Sequence, residues 1–362
     1  MARIAILTPS ITTGDAVSND VVGMYHVLER QGFETKIFAE GWTRTTPDIA
    51  SAERVTAFLT NPDDILLYHY SRGWNPAVEL LRTLNCRTVV RYHNVTPPEF
   101  FVRYNDELAA MCLAGREQLE PIAQAGCDLY LSASDYSMRE LLAEGVRESD
   151  SFVVPPFHHI DRLRSLEPDQ DVLRKYADGK INLCMVGRVS PNKGHPALIE
   201  AFAAYYHDYN QNSRLLVVGK EETRLRNYSP LLREMVNRLR LRGAVVFTGE
   251  VSEPALKAYY QIAHAFMITS EHEGFCVPLV EAMSMGLPIV AYASSAIPET
   301  VGDAGIVWTE RNPSLMAESI NAVTTDKSLS AALSTKGRRR YEEHFTNQKI
   351  EATFVSAMSG IL

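Results

Sequence analysis

Short runs of β-branched and apolar residues, each followed by a longer helix-like stretch, recur along the chain in two successive series, and this alternation constrains the fold most strongly. The first series is Ile4–Thr8, Lys36–Ala39, Ile65–Tyr68, Thr88–Tyr92, Leu129–Ser132 and Phe152–Val154. After a polar, helix-prone stretch from about Asp161 to Gly179 the pattern restarts as Asn182–Val186, Arg214–Val218, Val245–Thr248, Phe266–Thr269, Ile289–Tyr292 and Ile306–Trp308. A helical tail over Leu315–Ile361 follows. Strands interleaved with helices build parallel sheets, and 362 residues exceed what one core usually organises. We therefore expect an α/β protein of two Rossmann-like, doubly wound domains, 1–165 and 166–345. Ligands of such sheets sit beyond the carboxyl ends of the strands, so chemistry is sought just after each apolar run.

Composition narrows the function classes. The net charge of −8 falls on the first half, where residues 1–180 hold eighteen Lys and Arg against twenty-six Asp and Glu. That balance argues against nucleic acid as a partner and limits membrane contact to the peripheral kind. No run approaches the eighteen or so apolar residues needed to span a bilayer, and MARIAILTPS enters a strand pattern without a signal-peptide core. Five dispersed cysteines, with no C-x-x-C pair, suit a reducing compartment. The expected location is the cytoplasm, the inner face of the membrane included.

Four segments carry candidate chemistry. The first strand ends in Thr8-Pro9-Ser10, and a loop with Gly14 and Asp15 leads to a helix whose candidate caps are Ser18 and Asn19. Such a loop offers backbone N–H groups and a positive helix end to an anion, although neither G-x-G-x-x-G nor the P-loop pattern occurs there. The second series opens with CMVGRVSPNKGH, which puts Gly187, Arg188 and Ser190 at a strand end and Lys193 before the next helix. Two cations at that junction can hold a diphosphate and offset the charge that builds on a leaving group.

In EHEGFCVPLVEAM, Glu273 follows an apolar run, Gly274 allows close backbone approach, Pro278 suits a first helical turn and Glu281 falls inside that helix. Ionised carboxylates accept hydrogen bonds from vicinal hydroxyls, which sugars and riboses supply. Finally, Tyr92-His93-Asn94 closes a strand ahead of Pro97-Pro98, and His69 closes the preceding strand, so both imidazoles can face a ligand. The one D-x-D, Asp169-Gln170-Asp171, lies in the polar linker after no strand and reads as solvated charge, which leaves no metal site.

Together these residues resemble family 4 of the retaining glycosyltransferases, of the bacterial surface-polysaccharide type, which have the GT-B fold. The resemblance spans nearly the whole chain: the Gly-Asp loop, G-R-x-S-x-x-K-G at 187–194, E-G-F-x-x-P-x-x-E-A at 273–282, Pro288 and Ile297-Pro298-Glu299. It implies two domains facing each other across a cleft, with residues 346–362 packing back toward the N-terminal domain. It also implies that Arg188 and Lys193 hold the donor diphosphate and that Glu273 binds hydroxyls of the transferred sugar. The backbone of Gly274, Phe275, Cys276 and Val277 would lie close to sugar and phosphate. Glu281 would take the ribose diol, Val251 would border the base, Gly14 would meet the phosphates and His93 would stand on the acceptor side. Cys276 replaces the family's usual small residue, a change of packing more than chemistry.

The resemblance thus implies transfer of a hexose, with retention, from GDP-mannose or a UDP-hexose to a carbohydrate or lipid-linked sugar acceptor. No cofactor and no metal are expected. A sugar-nucleotide epimerase and a non-catalytic nucleotide-sugar-binding protein are the alternatives, distinguished by isomerisation of the donor without acceptor and by binding without turnover. An NAD-dependent dehydrogenase is disfavoured by the missing glycine fingerprint.

Overall fold

The computed structural model describes residues 2–43 and 47–362. It divides into two compact units: the first is Met1–Pro98, Glu107–His158 and Phe345–Leu362, and the second is Glu99–Asp106 and His159–His344. The division falls at 158/159 and 344/345, where the sequence pattern put it at 165/166 and 345/346.

The first unit is a parallel sheet of β1 (Arg3–Ile11), β2 (Glu34–Trp42), β3 (Ile49–Ser51), β4 (Ile65–Tyr70), β5 (Arg87–Tyr92), β6 (Leu129–Ser132) and β7 (Ser151–Val153). Their order is β3-β2-β1-β4-β5-β6-β7. Every expected run is a strand, and β3 is an addition too short to show a pattern in the sequence. β1 continues beyond Thr8 to Ile11 with Pro9 inside it. Its register with β4 stops at Leu7 opposite Tyr68, while that with β2 passes over Pro9 and runs on to Ile11 opposite Trp42, so the missing N–H of Pro9 breaks no pair.

The second unit is a parallel sheet of β8 (Ile181–Val186), β9 (Ser213–Val218), β10 (Val245–Gly249), β11 (Ala265–Ile268), β12 (Ile289–Tyr292) and β13 (Gly305–Trp308). Its order is β10-β9-β8-β11-β12-β13. The chain winds outward from β1 and from β8 in one direction, then crosses to the other side at β4 and at β11. The switch points, where doubly wound sheets take their ligands, are therefore β1/β4 and β8/β11.

Both faces of the sheets are covered, which is why the strands read as unbroken apolar runs. In the first sheet Ile4, Ile6, Leu67, Val89 and Leu131 face one core cluster and Ala5, Leu7, Leu66, Tyr68, Val90 and Tyr92 the other. The tail is not one helix. It runs Pro313–Thr325, Lys327–Arg340, a π-helical turn Tyr341–Phe345, and Asn347–Met358. The last helix puts Ile350, Phe354 and Met358 into the first unit's core, and the Phe354 ring meets Phe157 edge-on at 6.2 Å between centroids. Among the described residues no helix is long and apolar enough to cross a membrane.

Candidate functional site

At the β8/β11 switch point the loops after the two strands are tied to each other. Asn192 O accepts from the backbone N–H of Glu271 (2.8 Å) and of His272 (3.2 Å), and Asn192 Nδ2 donates to His272 O (3.3 Å). Ser190 Oγ donates to Asn192 Oδ1 at 2.8 Å, and Thr269 Oγ1 donates to Gly194 O at 2.9 Å. Gly194 has φ +66° and lies against the Thr269 carbonyl so closely that a Cβ there would overlap it. Ser190, expected at the donor, is buried and serves this stitching.

The stitching brings Lys193 and Glu273 together. Lys193 Nζ donates to Glu273 Oε1 at 2.7 Å and to Oε2 at 2.8 Å, with the side chains 17% and 8% exposed. The sequence placed each residue at a phosphate or sugar site, but nothing in their separation showed that they meet. Glu273 is braced from behind: its N–H donates to Ser295 Oγ (3.1 Å) and its carbonyl accepts from Ala296 N–H (3.3 Å). Thr300 Oγ1 donates to Phe275 O at 2.8 Å, so the segment around Ile297-Pro298-Glu299 supports the loop.

Arg188 behaves differently. It is exposed, beside Gly187 at the end of β8, and makes no hydrogen bond or ion pair among the described residues. Its positive charge is felt by Glu222, which Arg224 already holds at 2.9 and 3.0 Å.

The helix Val277–Met285 begins with Pro278 in its first turn, as expected, and no side chain caps its N-terminus. Cys276 sits at the cap position with φ +77°, a conformation that costs an L-residue with a side chain about 1–2 kcal/mol. The Phe275 and Cys276 side chains are buried, and burial pushes the Cys276 thiol well above its ordinary range. Glu281, 4% exposed, accepts from Tyr260 Oη at 2.6 Å through Oε2, while Oε1 stands 3.7 Å from His159 Nε2. Burial lifts its carboxyl above the usual range, and His159 and the tyrosine hydrogen bond draw it partly back. Val251, after β10, packs against the cluster of Tyr176, Cys184, Leu216 and Tyr259.

In the first unit the β1 loop differs in detail from expectation. The helix starts at Ala16, and Asp15 caps it by accepting from the Ser18 N–H and Oγ at 3.0 Å each. Ser18 and Asn19 lie inside the helix, Ser18 Oγ instead accepting from Thr12 N–H at 2.9 Å. Asp15 wins the cap because its carboxylate reaches the N–H three residues on, leaving Gly14 exposed at φ +78°. His93 is joined to His69, Nε2 to Nδ1, at 2.9 Å. Asp20 and Arg91, fully buried, stand beside them, and neither was singled out in the sequence. Among the described residues, Asp20, His69 and His93 form the one group of three possible metal ligands. The linker Asp169-Gln170-Asp171 holds no such group: Asp169 caps the helix Gln170–Tyr176.

Burial, and after it the Arg91 charge, holds His69 and His93 well below the ordinary imidazole value. The unfolded chain takes up those protons from about pH 6.5 downward while the fold refuses them, so stability falls as pH drops. The expected loss at pH 5.5 is about 1.4 kcal/mol for each histidine relative to pH 7.5. Denaturant titrations of wild type and His69→Leu at the two pH values test this, because burial also holds His195 low, at about 4; an equal loss in both proteins would show that His69 contributes none of it.

Comparison with known proteins places the second unit. Residues 169–340 match the family described as glycosyl transferases group 1. The chain is 26% identical to the O-antigen chain mannosyltransferase B of Escherichia coli, over 61% of this chain and 57% of that one. It is 29% identical to the mannosylfructose-phosphate synthase of Agrobacterium fabrum, over 48% and 40%. The chain spans about half the length of the curated relatives it matches. Among solved structures, HepE of Anabaena in complex with UDP and glucose superposes with a TM-score of 0.74 at 17% identity, covering 99% of this chain and all of that one. Sucrose-phosphate synthase of Thermosynechococcus elongatus gives 0.76 at 17%, covering 100% and 99%. The fold is the two-domain α/β fold of the GT-B glycosyltransferases.

Proposed function

We propose that this protein is a retaining, metal-independent hexosyltransferase of family 4 that moves a hexose from a nucleoside-diphosphate sugar to a hydroxyl of a carbohydrate or lipid-linked acceptor. The observation that carries this reading is the β8/β11 switch point, where the Lys193–Glu273 pair and the uncommitted Arg188 cation stand on loops tied to each other. The match of residues 169–340 to the group 1 family covers the same loops.

In this reading Arg188 and Lys193 take the diphosphate. As the bond from the anomeric carbon to the phosphate oxygen breaks, charge gathers on the leaving group, and the two fixed cations stabilise it without a metal. Glu273, whose two oxygens are both on Lys193, orients sugar hydroxyls and is no free nucleophile for a covalent intermediate. The acceptor hydroxyl then attacks on the face the phosphate leaves, passing its proton to the departing phosphate oxygen, and configuration is retained. Glu281 grips the ribose diol. Val251 borders the base, while on the first unit the exposed backbone of Gly14 suits a phosphate and His93 serves the acceptor.

The place of action is the cytoplasm or the inner face of the membrane, in the synthesis of surface polysaccharide or glycolipid. GDP-mannose is the first donor to test, since a relative 25% identical over 59% of this chain is a GDP-mannose-dependent mannosyltransferase of Mycobacterium tuberculosis. UDP-glucose is the second.

A thermal-shift panel of nucleotide sugars, run in EDTA, tests the donor site. A ligand at one hundred times its Kd stabilises the fold by about 2.7 kcal/mol, so the cognate donor raises Tm by several degrees. No shift with any nucleotide sugar, or a shift that appears only when magnesium replaces EDTA, overturns the metal-free reading.

A further inference from the structure

Strand alternation carries His69, Arg91 and His93 onto the sheet face covered by the helix Ala16–Arg30, above the apolar residues Leu67 and Val89. From that helix comes Asp20. Its Oδ2 accepts from Arg91 Nε at 2.8 Å and its Oδ1 from Phe157 N–H at 2.8 Å, while Arg91 Nη1 donates to Val154 O at 2.7 Å. Asp20, His69 and Arg91 are fully buried and the His93 side chain is 6% exposed. The imidazoles are not hydrogen-bonded to the carboxylate, since Asp20 Oδ2 is 3.6 Å from His93 Nε2 and 4.0 Å from His69 Nδ1. They are bonded to each other, at 2.9 Å. A metal fits this donor set poorly. Both Asp20 oxygens are already occupied, and a guanidinium carrying a full positive charge sits on the oxygen nearest the histidines.

One proton lies between two neutral rings, and its position decides what His93 shows to a substrate. If His93 Nε2 held it, neutral His69 would carry its own proton on Nε2, which is buried with no partner among the described residues. An orphaned N–H beside a guanidinium is disfavoured twice, by lost hydrogen bonding and by charge. With the proton on His69 Nδ1, His69 Nε2 is a bare lone pair in the positive field of Arg91, and His93 must carry its proton on Nδ1. Among the described residues that nitrogen makes no hydrogen bond, and it is not fully buried.

We propose that His69 is a positioning residue that donates from Nδ1 to His93 Nε2, holding the His93 proton on Nδ1, so that His93 meets the substrate as a hydrogen-bond donor to oxygen and not as a base. This rests on the reading of His93 as a substrate-facing residue, and the Asp20–Arg91 pair fixes the cluster from behind.

The test begins with the ligand-free full chain, labelled with 15N-histidine, at pH 7. Long-range proton–nitrogen spectra should show His93 with a pyrrole-like Nδ1 and a pyridine-like Nε2, assigned through His93→Asn. In His69→Leu the remaining acceptor near Nε2 is the Asp20 carboxylate, so the His93 proton should move to Nε2. In His69→Asn, whose amide donates from the same position as Nδ1, it should stay on Nδ1.

Transfer kinetics should follow the tautomer: His69→Leu lowers kcat about tenfold with donor KM within a few-fold, and His69→Asn recovers most of it. A wild-type His93 protonated on Nε2, or an unchanged tautomer and kcat in folded His69→Leu, overturns the proposal. Zinc that binds tightly and shifts both histidines overturns it in favour of a metal site. Because the spectra need no turnover, failure of the transferase reading is separable from failure of the tautomer.

Discussion

Replacing Arg188 by alanine lowers transfer about a hundredfold or more and leaves the fold untouched. The guanidinium is exposed and makes no structural contact, and Glu222, the acidic group it influences, is held by Arg224 without it. Surface changes of that kind stay within about 0.5 kcal/mol of wild-type stability. The rate effect is large because removing one preorganised donor at a developing charge costs on the order of 10²–10³ in turnover. Arg188→Lys should restore only part of the rate, since a point charge replaces the planar fork that fits a diphosphate. Initial rates and melting curves for the three proteins check this. Activity within threefold of wild type in Arg188→Ala would remove this residue from the site.

The second large effect belongs to Gly194. An alanine there must hold φ near +66° and put its Cβ into the Thr269 carbonyl, backbone that cannot swing away because Thr269 Oγ1 also donates to Gly194 O. The left-handed conformation costs about 1–2 kcal/mol and overpacking about 1–3 more. Gly194→Ala should therefore destabilise the second unit by roughly 2–5 kcal/mol, and Tm should fall by about 4–20 °C. Transfer should suffer even in the fraction that folds, because Lys193 is the preceding residue and its hold on Glu273 depends on the two loops staying in register. A variant with wild-type Tm and rate would show that the stitching does not position the pair.

Much of this was legible in the chain. Strands buried on both faces leave unbroken apolar runs, which is why all twelve expected runs are strands, while β3 is three residues and carries no period. The helix at Val277 announced itself through Pro278, and the tail did not, because Asp326 is an internal cap that one continuous helical pattern hides. Residues Glu99–Asp106 read as part of the N-terminal series but belong to the second unit, with Tyr104 against Tyr228 at 5.1 Å. Candidate site residues that follow strands could be named from the sequence because their place in a βα unit is local information. Asp20 and Arg91 were missed for the opposite reason. They are 71 positions apart, the arginines from Arg72 to Arg103 read as a solvated face, and only the packed sheet shows that Arg91 is buried against Asp20 and that each neutralises the other. Tyr260, the partner of Glu281, was hidden in the same way.

If the β8/β11 site transfers a sugar from its nucleotide with protein cations alone, the nucleoside diphosphate must leave without a divalent ion. The most direct measurement is release of nucleoside diphosphate from GDP-mannose and UDP-glucose by the purified chain in excess EDTA, with a panel of sugar and lipid-linked acceptors, for wild type and Arg188→Ala. Metal-free release is expected, accelerated by an acceptor and lowered about a hundredfold in the variant, with a product of the donor's anomeric configuration. Release that EDTA abolishes and magnesium restores, an inverted product, or tight binding with no release from any donor would contradict it.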